Sequence, residues 1–205
     1  MAGRRIIVVM GSPRREGNSA ALAQQVVGGA EAGGARVESY RLHDMDISPC
    51  TACDLCRDET AKDCVIDDQM TALYPKLRLA DALVIAGPVY WFTVSAQTKL
   101  FMDRCYALDG PEGNALKGKQ VGIVLTYEDT DPFTSGAVNA LRTFQDCFNY
   151  IGADIVGMVY GSAGEAGEIR KNKDVMARAY QLGQKLGSDE QKAEGCQNPD
   201  SPSDQ

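Results

Sequence analysis

Residues 4–19 read RRIIVVMGSPRREGNS, and their pattern is the clearest indication of the fold. Their apolar part, Ile6 to Met10, is short and rich in β-branched side chains, as expected for a buried strand of a parallel sheet. A loop that contains glycine, proline and asparagine follows, and a helical pattern begins near Ser19. Because a strand that leads through a short loop into a helix is the first half of a βαβ unit, this stretch predicts an α/β fold.

The alternation of strand and helix continues through most of the chain. The pattern predicts strands at Arg4–Met10, Arg36–Leu42, Ala82–Ala86, Gln120–Thr126 and Ile155–Tyr160. It predicts helices at Ser19–Ala32, Gln69–Leu79, Ser95–Leu108, Ser135–Ile151 and Lys173–Leu186. Pro75 indicates a kink or a late start in the second of these helices. Since crossovers between parallel strands are right-handed, we expect a flavodoxin-like, three-layer, doubly wound sheet of five parallel strands in the order 2-1-3-4-5.

The length of the chain, 205 residues, is typical of one α/β domain. We expect this domain to span residues 1–187, with a cysteine-rich insertion at residues 46–68. Residues 188–205 are polar and lack periodicity, so we expect them to form a disordered tail.

Composition and charge restrict the partners and the compartment. The formal net charge is −7 and the pI is about 4.8, which argues against nucleic acid or an anionic membrane as a partner. No apolar run approaches the roughly 18 residues of a membrane span, and the run from Ile6 to Met10 is too short for a signal peptide. We therefore expect a cytoplasmic protein, in which the seven cysteines are free thiols or metal ligands.

The loop after the first strand has the composition of a phosphate site. Ligands of open α/β sheets bind at the carboxyl ends of the strands where the strand order reverses, which here lies between strands one and three. The loop carries Ser12, Arg14, Asn18 and Ser19 and opens a helix, whose N-terminal N–H groups attract anions. It has neither the GxGxxG pattern of a dinucleotide site nor the GxxxxGK[ST] pattern of a triphosphate site, which favours a phosphate monoester. A solvated turn with a Ser or Asn helix cap is the alternative.

The loop after the third strand is aromatic. Tyr90, Trp91 and Phe92 follow Pro88 and Val89 at the end of a buried strand, where exposed aromatic side chains lower solubility unless something covers them. A flat heteroaromatic ring would cover them, and so would a neighbouring helix or another subunit. With a phosphate site beside it, this loop favours one ligand that has a phosphate tail and a ring.

Both loops resemble those of the NADPH-dependent FMN reductase family in the flavodoxin-like superfamily. The resemblance rests on Gly11-Ser12-Pro13-Arg14-x-x-Gly17-Asn18-Ser19 and on Gly87-Pro88-Val89-Tyr90-Trp91-Phe92-Thr93-Val94-Ser95-Ala96, followed by Lys99-x-Phe101-Met102-Asp103-Arg104. It implies that Ser12, Arg14, Asn18 and Ser19 bind the phosphate of FMN. It implies contacts to the ribityl chain and the ring from Pro88, Val89, Tyr90, Trp91 and Phe92, with Thr126 and Tyr127 as the remaining wall. No side chain is expected to act as a catalytic nucleophile or base.

Four of the seven cysteines form the compact pattern Cys50-x2-Cys53-x2-Cys56-x7-Cys64. Three closely spaced thiolates and a fourth returned by a longer loop suit a [4Fe–4S] cluster. The pattern resembles that of the iron–sulfur flavoproteins, which implies that Cys50, Cys53, Cys56 and Cys64 are the cluster ligands. Four thiolates serve zinc equally well, and a loop that holds no metal is a third interpretation.

The function implied by this resemblance is that of an FMN-containing electron-transfer oxidoreductase. Electrons would pass from a reduced donor, either a small molecule or a ferredoxin-like protein, through the [4Fe–4S] cluster to FMN and then to an acceptor. Two alternatives remain open: a cluster-free FMN or quinone reductase with NAD(P)H as donor, and a non-enzymatic sensor based on zinc or thiols. Relatives are commonly dimers or tetramers, so the resemblance also implies a homodimer or a homotetramer.

Overall fold

The central sheet has five parallel strands in the order β2-β1-β3-β4-β5, which confirms the predicted topology. The computed structural model of the chain describes residues 3–58, 63–110 and 113–188. The strands are β1 (Arg5–Met10), β2 (Arg36–Arg41), β3 (Ala82–Tyr90), β4 (Gln120–Tyr127) and β5 (Asp154–Ser162). Two-residue strands at Thr93–Val94, Asp109–Gly110 and Gly113–Asn114 form small hairpins outside the parallel sheet.

Five helices cover the two faces of the sheet. They are α1 (Asn18–Ala32), α2 (Tyr74–Leu79), α3 (Ala96–Arg104), α4 (Ala137–Ile151) and α5 (Lys173–Gly187). None of the helices in the described ranges combines the length and the apolar character needed to cross a bilayer.

Strand β1 shows why the domain has three layers. Successive side chains of a strand point to opposite faces, so Ile6 and Val8 pack in the core that contains α1 and α5. Ile7 and Val9 pack on the other face, in the core that contains side chains of α2, α3 and α4. All four side chains are at most 2% exposed, and burying each of them contributes about 1.5–3 kcal/mol. A fully apolar strand therefore requires helices on both faces.

Strand β3 is longer than the sequence pattern predicts. The prediction placed its end at Ala86 and a loop at Gly87–Phe92, because glycine followed by proline usually breaks a strand. The strand in fact continues to Tyr90. Its pairing with β1 ends at Ala86, but its pairing with β4 continues to Pro88 and Thr126. Because Pro88 lies beyond the pairing with β1, its missing N–H breaks no ladder bond on that side.

The helix boundaries differ from the prediction by five residues or fewer. Helix α2 begins at Tyr74 instead of Gln69, which is the late start that Pro75 indicates. Helix α3 ends at Arg104 and continues as a 3₁₀ turn at Cys105–Leu108. Residues 59–62 of the predicted insertion and residues 189–205 of the predicted tail lie outside the described residues.

Candidate functional site

The loops after β1 and β3 are joined directly at the carboxyl edge of the sheet. The N–H of Gly11 donates to the carbonyl of Ala86 over 2.8 Å, and the hydroxyl of Ser95 donates to the carbonyl of Gly11 over 2.8 Å. A Cβ atom at Gly11 would lie 2.0 Å from the Thr98 Oγ1. Only glycine fits at this position, so the start of α3 fixes the first loop against the third strand.

Nine of the eleven predicted flavin-site residues line one cleft at this edge. They are Ser12, Arg14, Asn18, Ser19, Pro88, Val89, Tyr90, Thr126 and Tyr127. Trp91 and Phe92 are not among the residues that line the cleft; they lie at the turn that follows Tyr90. The loops after β1, β3 and β4 thus converge where the strand order reverses, as the topology predicts.

The N-terminus of α1 faces this cleft without a cap of its own. Its N-cap residue is Gly17, which has no side chain to accept from the first N–H groups, and its first turn contains no acidic residue. Two other helices are capped, since Ser95 accepts from the N–H of Thr98 and Asn172 accepts from the N–H of Val175. The first N–H groups of α1 therefore suit an anion such as the phosphate of FMN.

Three hydroxyls in the cleft add further hydrogen-bonding capacity. Ser12, Ser19 and Thr126 are each less than 5% exposed, yet all three line the cleft. The Ser12 Oγ accepts from the N–H of Arg14 over 3.2 Å and keeps its own proton free to donate. In the described part of the chain, neither the Ser19 nor the Thr126 hydroxyl hydrogen-bonds to another residue. Since these residues line the cleft and their hydroxyls are not needed elsewhere in the described chain, the hydroxyls can bind a polar ligand such as a phosphate or the ribityl chain of FMN.

The Asn18 side chain, which lines the cleft, also bonds to the loop after β5. Its amide Nδ2 donates to the carbonyl of Ala163 over 3.1 Å, and its Oδ1 accepts from the N–H of Ile169 over 3.2 Å. Both ends of the amide therefore hold the loop after β5 against the start of α1. We conclude that the Asn18 side chain positions the wall of the cleft, while its backbone N–H faces the ligand end of the helix.

The loop after β5 also lines the cleft, although it was not predicted from the sequence. Ala163, Gly164 and Ala166 line the cleft together with the loops after β1, β3 and β4. The signal was present in residues 162–168, SAGEAGE, because small residues after a buried strand allow a ligand to approach the backbone closely.

Trp91 and Phe92 form the turn of a hairpin beside the cleft. Val89 pairs with Val94 and Tyr90 with Thr93, which leaves the two aromatic residues as a two-residue turn. Their φ angles are +48° and +66°, a combination that a type I′ turn requires and that bulky residues rarely adopt. The Trp91 side chain is 92% exposed.

The start of α4 supports this turn. The Nδ2 of Asn139 donates to the carbonyl of Phe92 over 3.1 Å, and a Cβ atom at Gly136 would lie 2.5 Å from the Phe92 Cα. Gly136 itself has a φ of +75°, so glycine is favoured there by both backbone conformation and space. Neither residue was identified from the sequence, because their contacts with Phe92 depend on the tertiary structure.

Tyr127 supplies a hydroxyl that stays protonated. Burial raises the pKa of Tyr127, and the nearby Tyr160 hydroxyl and Asp131 carboxylate raise it further. At neutral pH the hydroxyl can therefore donate a hydrogen bond to an acceptor atom of a ligand.

The four clustered cysteines differ in their surroundings. Cys50 and Cys53 are exposed, Cys56 and Cys64 are half-buried, and all four are free thiols. Hydrogen bonds from the Leu55 N–H and the Thr51 side chain hold the pKa of Cys53 below its usual value. Burial raises the pKa of Cys56, with a further increase from Cys64, so these two sulfurs are close enough to interact. In the described ranges no three His, Cys, Asp or Glu side chains are placed to share one metal ion.

The residues after α3 hold the first part of the cysteine segment, which we define as residues 48–68. The Tyr106 hydroxyl donates to the Asp54 carboxylate over 3.2 Å, and the Arg57 guanidinium lies 4.2 Å from the centre of the Tyr106 ring. Arg57 also pairs with Asp109 over 2.8 Å. The part of the segment between Cys53 and Arg57 is therefore held by Tyr106 and Asp109, which follow α3 in the chain. The start of the same helix contacts Gly11 in the loop after β1.

A larger cavity of about 520 Å³ lies between α3, α4 and the cysteine segment. Its wall is mainly apolar and includes Phe101, Met102, Phe148 and Ile151. None of the predicted phosphate-binding residues lines it, and no helix begins there to receive an anion. The cleft at the sheet edge is the better candidate for the cofactor because it has the donors that a phosphate ester needs.

Comparison with known proteins agrees with this geometry. The model of the NADPH-dependent FMN reductase family matches residues 4–168. An iron–sulfur flavoprotein of Methanosarcina thermophila is 31% identical over 153 residues, which are 75% of this chain and 77% of that protein. An iron–sulfur flavoprotein of Methanocaldococcus jannaschii is 35% identical over 100 residues, 49% of this chain, and the match spans about half of that relative, 51%.

The solved structures agree on the fold. The NAD(P)H:quinone oxidoreductase of Methanothermobacter marburgensis aligns with a TM-score of 0.71 at 16% identity, over 90% of this chain and 98% of that one. The family match covers β1 to the loop after β5, and therefore every loop that lines the cleft. The chain accordingly belongs to the NADPH-dependent FMN reductase family of flavin-dependent oxidoreductases.

Proposed function

We propose that the protein is an electron-transfer flavoprotein of the iron–sulfur type, with FMN in the cleft at the sheet edge and a [4Fe–4S] cluster on the cysteine segment. The observation that supports the flavin site most strongly is the uncapped start of α1, beside three hydroxyls that line the same cleft. FMN when bound supplies one- and two-electron redox chemistry.

The residues of the cleft have distinct tasks in this proposal. The N–H groups at the start of α1, the Ser12 and Ser19 hydroxyls and the Arg14 guanidinium bind the phosphate. The Thr126 hydroxyl would bind the ribityl chain. The end of β3, from Pro88 to Tyr90, would hold the ring, and Trp91 and Phe92 would shield it from water.

Cys50, Cys53, Cys56 and Cys64 are the residues that would hold the cluster. Their spacing fits a [4Fe–4S] ligand set, and the M. thermophila relative is named an iron–sulfur flavoprotein. N–H groups already point at two of the sulfurs, since Ala52 donates to the Cys50 Sγ over 3.4 Å and Leu55 donates to Cys53. Such donors stabilise thiolate sulfur, which is the form that binds iron. A bound cluster would supply one-electron redox chemistry.

The proposed partners follow from these two centres. A reduced ferredoxin-like protein or a small molecule is the donor, and a small molecule or a second protein is the acceptor. We further propose a homodimer or homotetramer, because Trp91 and Phe133 are 92% and 78% exposed and a partner subunit would cover apolar surface of this kind.

The experiment is anaerobic reduction of the purified protein, followed by the flavin absorbance. Rapid reduction by reduced ferredoxin and slow reduction by NADH and NADPH is the expected result. The Cys53→Ser variant should lose iron and ferredoxin-linked reduction but keep FMN. Cys147→Ser serves as the control, because Cys147 is also a free thiol but lies on α4, outside the cysteine segment. Iron retained in Cys53→Ser would contradict the ligand assignment.

A second candidate is a cluster-free NAD(P)H-dependent FMN or quinone reductase. It is favoured by the observation that, within the described residues, no cysteine lines the cleft, so the flavin site is complete without the cysteine segment. Fast flavin reduction by NADPH in protein that contains no iron would establish this candidate in place of the first.

A further inference from the structure

Arg104, the last residue of α3, is one of the largest fully buried side chains in the described structure. Only 1% of its surface is exposed. Burying an unpaired guanidinium is very costly, so an arginine in this position needs partners that compensate for the lost water. Its Nε finds no partner among the described residues, whereas both terminal nitrogens are fully engaged.

The terminal nitrogens of Arg104 donate to residues at the two ends of the cysteine segment. One terminal nitrogen donates to the carbonyl of Ser48 over 2.8 Å and to the carboxylate of Asp68. The other donates to Asp68 over 3.3 Å and to the carbonyl of Ile66 over 3.5 Å. Ser48 lies two residues before Cys50, and Ile66 lies two residues after Cys64.

Asp68 completes the connection between the two ends. Its carboxylate accepts from the N–H of Ser48 over 2.8 Å and from the N–H of Met70 over 2.9 Å. Although burial opposes ionisation, the hydrogen bond from Arg104 holds the pKa of Asp68 below its usual value. The pair is therefore an ionised, hydrogen-bonded link between Ser48 at one end of the cysteine segment and Ile66 and Asp68 at the other.

The backbone of Arg104 contacts the start of α2. The Tyr74 hydroxyl donates to the carbonyl of Arg104 over 3.1 Å. Burial raises the pKa of Tyr74, and its interactions include both Arg104 and the Cys64 thiol. Cys64 is half-buried and packs against the same apolar core that contains Tyr74.

Helix α3 connects this link to the flavin cleft. Its N-cap, Ser95, holds Gly11 of the phosphate loop, and Arg104 lies nine residues further along. At 1.5 Å per residue, the two positions are about 14 Å apart along the helix axis. One rigid helix therefore sets both the flavin loop and the cysteine segment.

We propose that Arg104 is a positioning residue for the four thiols. By binding Ser48, Ile66 and Asp68 at once, it fixes the spacing between the two ends of the cysteine segment. Cys50, Cys53 and Cys56 follow one end, and Cys64 precedes the other. The predicted effect of Arg104 on iron retention rests on the function proposed above. Its effect on the spacing of the thiols does not. Residues that orient metal ligands without touching the metal commonly change metal affinity by about 10–100-fold when replaced.

The test compares Arg104→Lys with the wild type and with a matched control, Arg4→Lys. Lysine keeps the charge but cannot make the bidentate contact with the Asp68 carboxylate. Arg4 is also an arginine that bridges distant segments, since it donates to Ser188 and Gln120, and neither of these partners belongs to the cysteine segment. Because Arg104→Lys leaves Asp68 poorly paired, the double variant Arg104→Met/Asp68→Leu removes both charges and tests the same link without an unpaired buried charge.

Two readouts are measured on each variant in addition to FMN affinity. The first is the rate at which a thiol reagent labels Cys56 and Cys64 in protein without metal, relative to the exposed Cys53. The second is the rate at which a ferrous chelator removes iron from the anaerobically reconstituted protein. We expect both rates to rise about tenfold or more in Arg104→Lys and in the double variant, with FMN affinity unchanged. Arg4→Lys should change neither rate.

Unchanged labelling in Arg104→Lys and in the double variant would overturn the proposal, and so would an equal increase in Arg4→Lys, which would indicate general destabilisation. If the wild type takes up no iron, the proposed cluster fails, but the labelling experiment still decides whether Arg104 positions the thiols. The two failures are therefore distinguishable.

Discussion

Ser19 and Ser95 are both buried serines at the start of a helix, and the fold uses them differently. The Ser95 hydroxyl is fully committed, because it caps α3 and binds Gly11, whereas the Ser19 hydroxyl has no partner in the described chain. We therefore expect Ser19→Ala to leave the free energy of unfolding of the apoprotein within about 0.5 kcal/mol of the wild type. FMN affinity should fall about tenfold or more, since a hydrogen bond to a charged group contributes about 1.5–3 kcal/mol.

The matched variant for this prediction is Ser95→Ala. Loss of a helix cap typically lowers stability by about 0.5–2 kcal/mol, so it should destabilise the apoprotein where Ser19→Ala does not. Urea denaturation and flavin titration measure the two effects. If Ser19→Ala binds FMN as tightly as the wild type, its hydroxyl does not face the phosphate.

Gly11 is the second position where one residue decides the site. An added Cβ would lie 2.0 Å from the Thr98 Oγ1 and 2.9 Å from the Ser95 Oγ. We expect Gly11→Ala to lower the free energy of unfolding by about 1–3 kcal/mol, as overpacking usually does, and to weaken FMN binding because the phosphate loop shifts. Adding Thr98→Ala removes the nearest atom and should recover part of both losses. A single variant as stable as the wild type would show that this contact is not tight in solution.

At the scale of elements, the hairpin turn of Trp91 and Phe92 is under strain. Left-handed backbone costs roughly 1–2 kcal/mol for a residue with a bulky side chain, and asparagine followed by glycine suits a type I′ turn far better. Replacing the pair by Asn-Gly should stabilise the apoprotein by about 1–3 kcal/mol and weaken flavin binding, because the shielding rings are lost. Trp91→Phe, which keeps the strain and an aromatic ring, serves as the control. A less stable Asn-Gly variant would refute the assignment of strain.

The link between α3 and the cysteine segment predicts a dependence on pH. The pKa of Asp68 is lowered in the folded protein relative to its unfolded value of about 3.9. The stability that this carboxylate contributes is therefore fully present above about pH 4 and is lost as the pH falls through the lower folded value. We expect the difference in unfolding free energy between wild type and Asp68→Asn to be constant from about pH 5 to 7 and to shrink below about pH 4. Urea denaturation across this range measures it, and a difference that stays constant down to pH 3 would be inconsistent with the ion pair.

At the scale of the whole molecule, the strand order and most of the cleft could be predicted from the sequence. Apolar, β-branched runs separated by glycine-rich loops are local signals, and the reversal of strand order then places the ligand. The loop from Gly11 to Ser19 was predicted from its residue types, and it lies in the cleft as expected.

The parts that could not be predicted depend on contacts between distant residues. Asn18 bonds to residues 145 and 151 positions away, and Arg104 bonds to residues 36 and 56 positions away. No local pattern distinguishes such an asparagine from a helix cap or such an arginine from a surface charge. Strand β3 was predicted too short for the same reason, since its pairing with β4 outweighs the local effect of Gly87 and Pro88.

The central claim is that one chain holds both FMN and a [4Fe–4S] cluster. The most direct test is an absorption spectrum of protein purified without oxygen, with flavin, iron and sulfide assayed on the same sample. We expect flavin bands that correspond to about one FMN per chain, a broad iron–sulfur shoulder and about four iron atoms per chain. Flavin without iron and sulfide would contradict the cluster, and protein that binds no flavin would contradict the account as a whole.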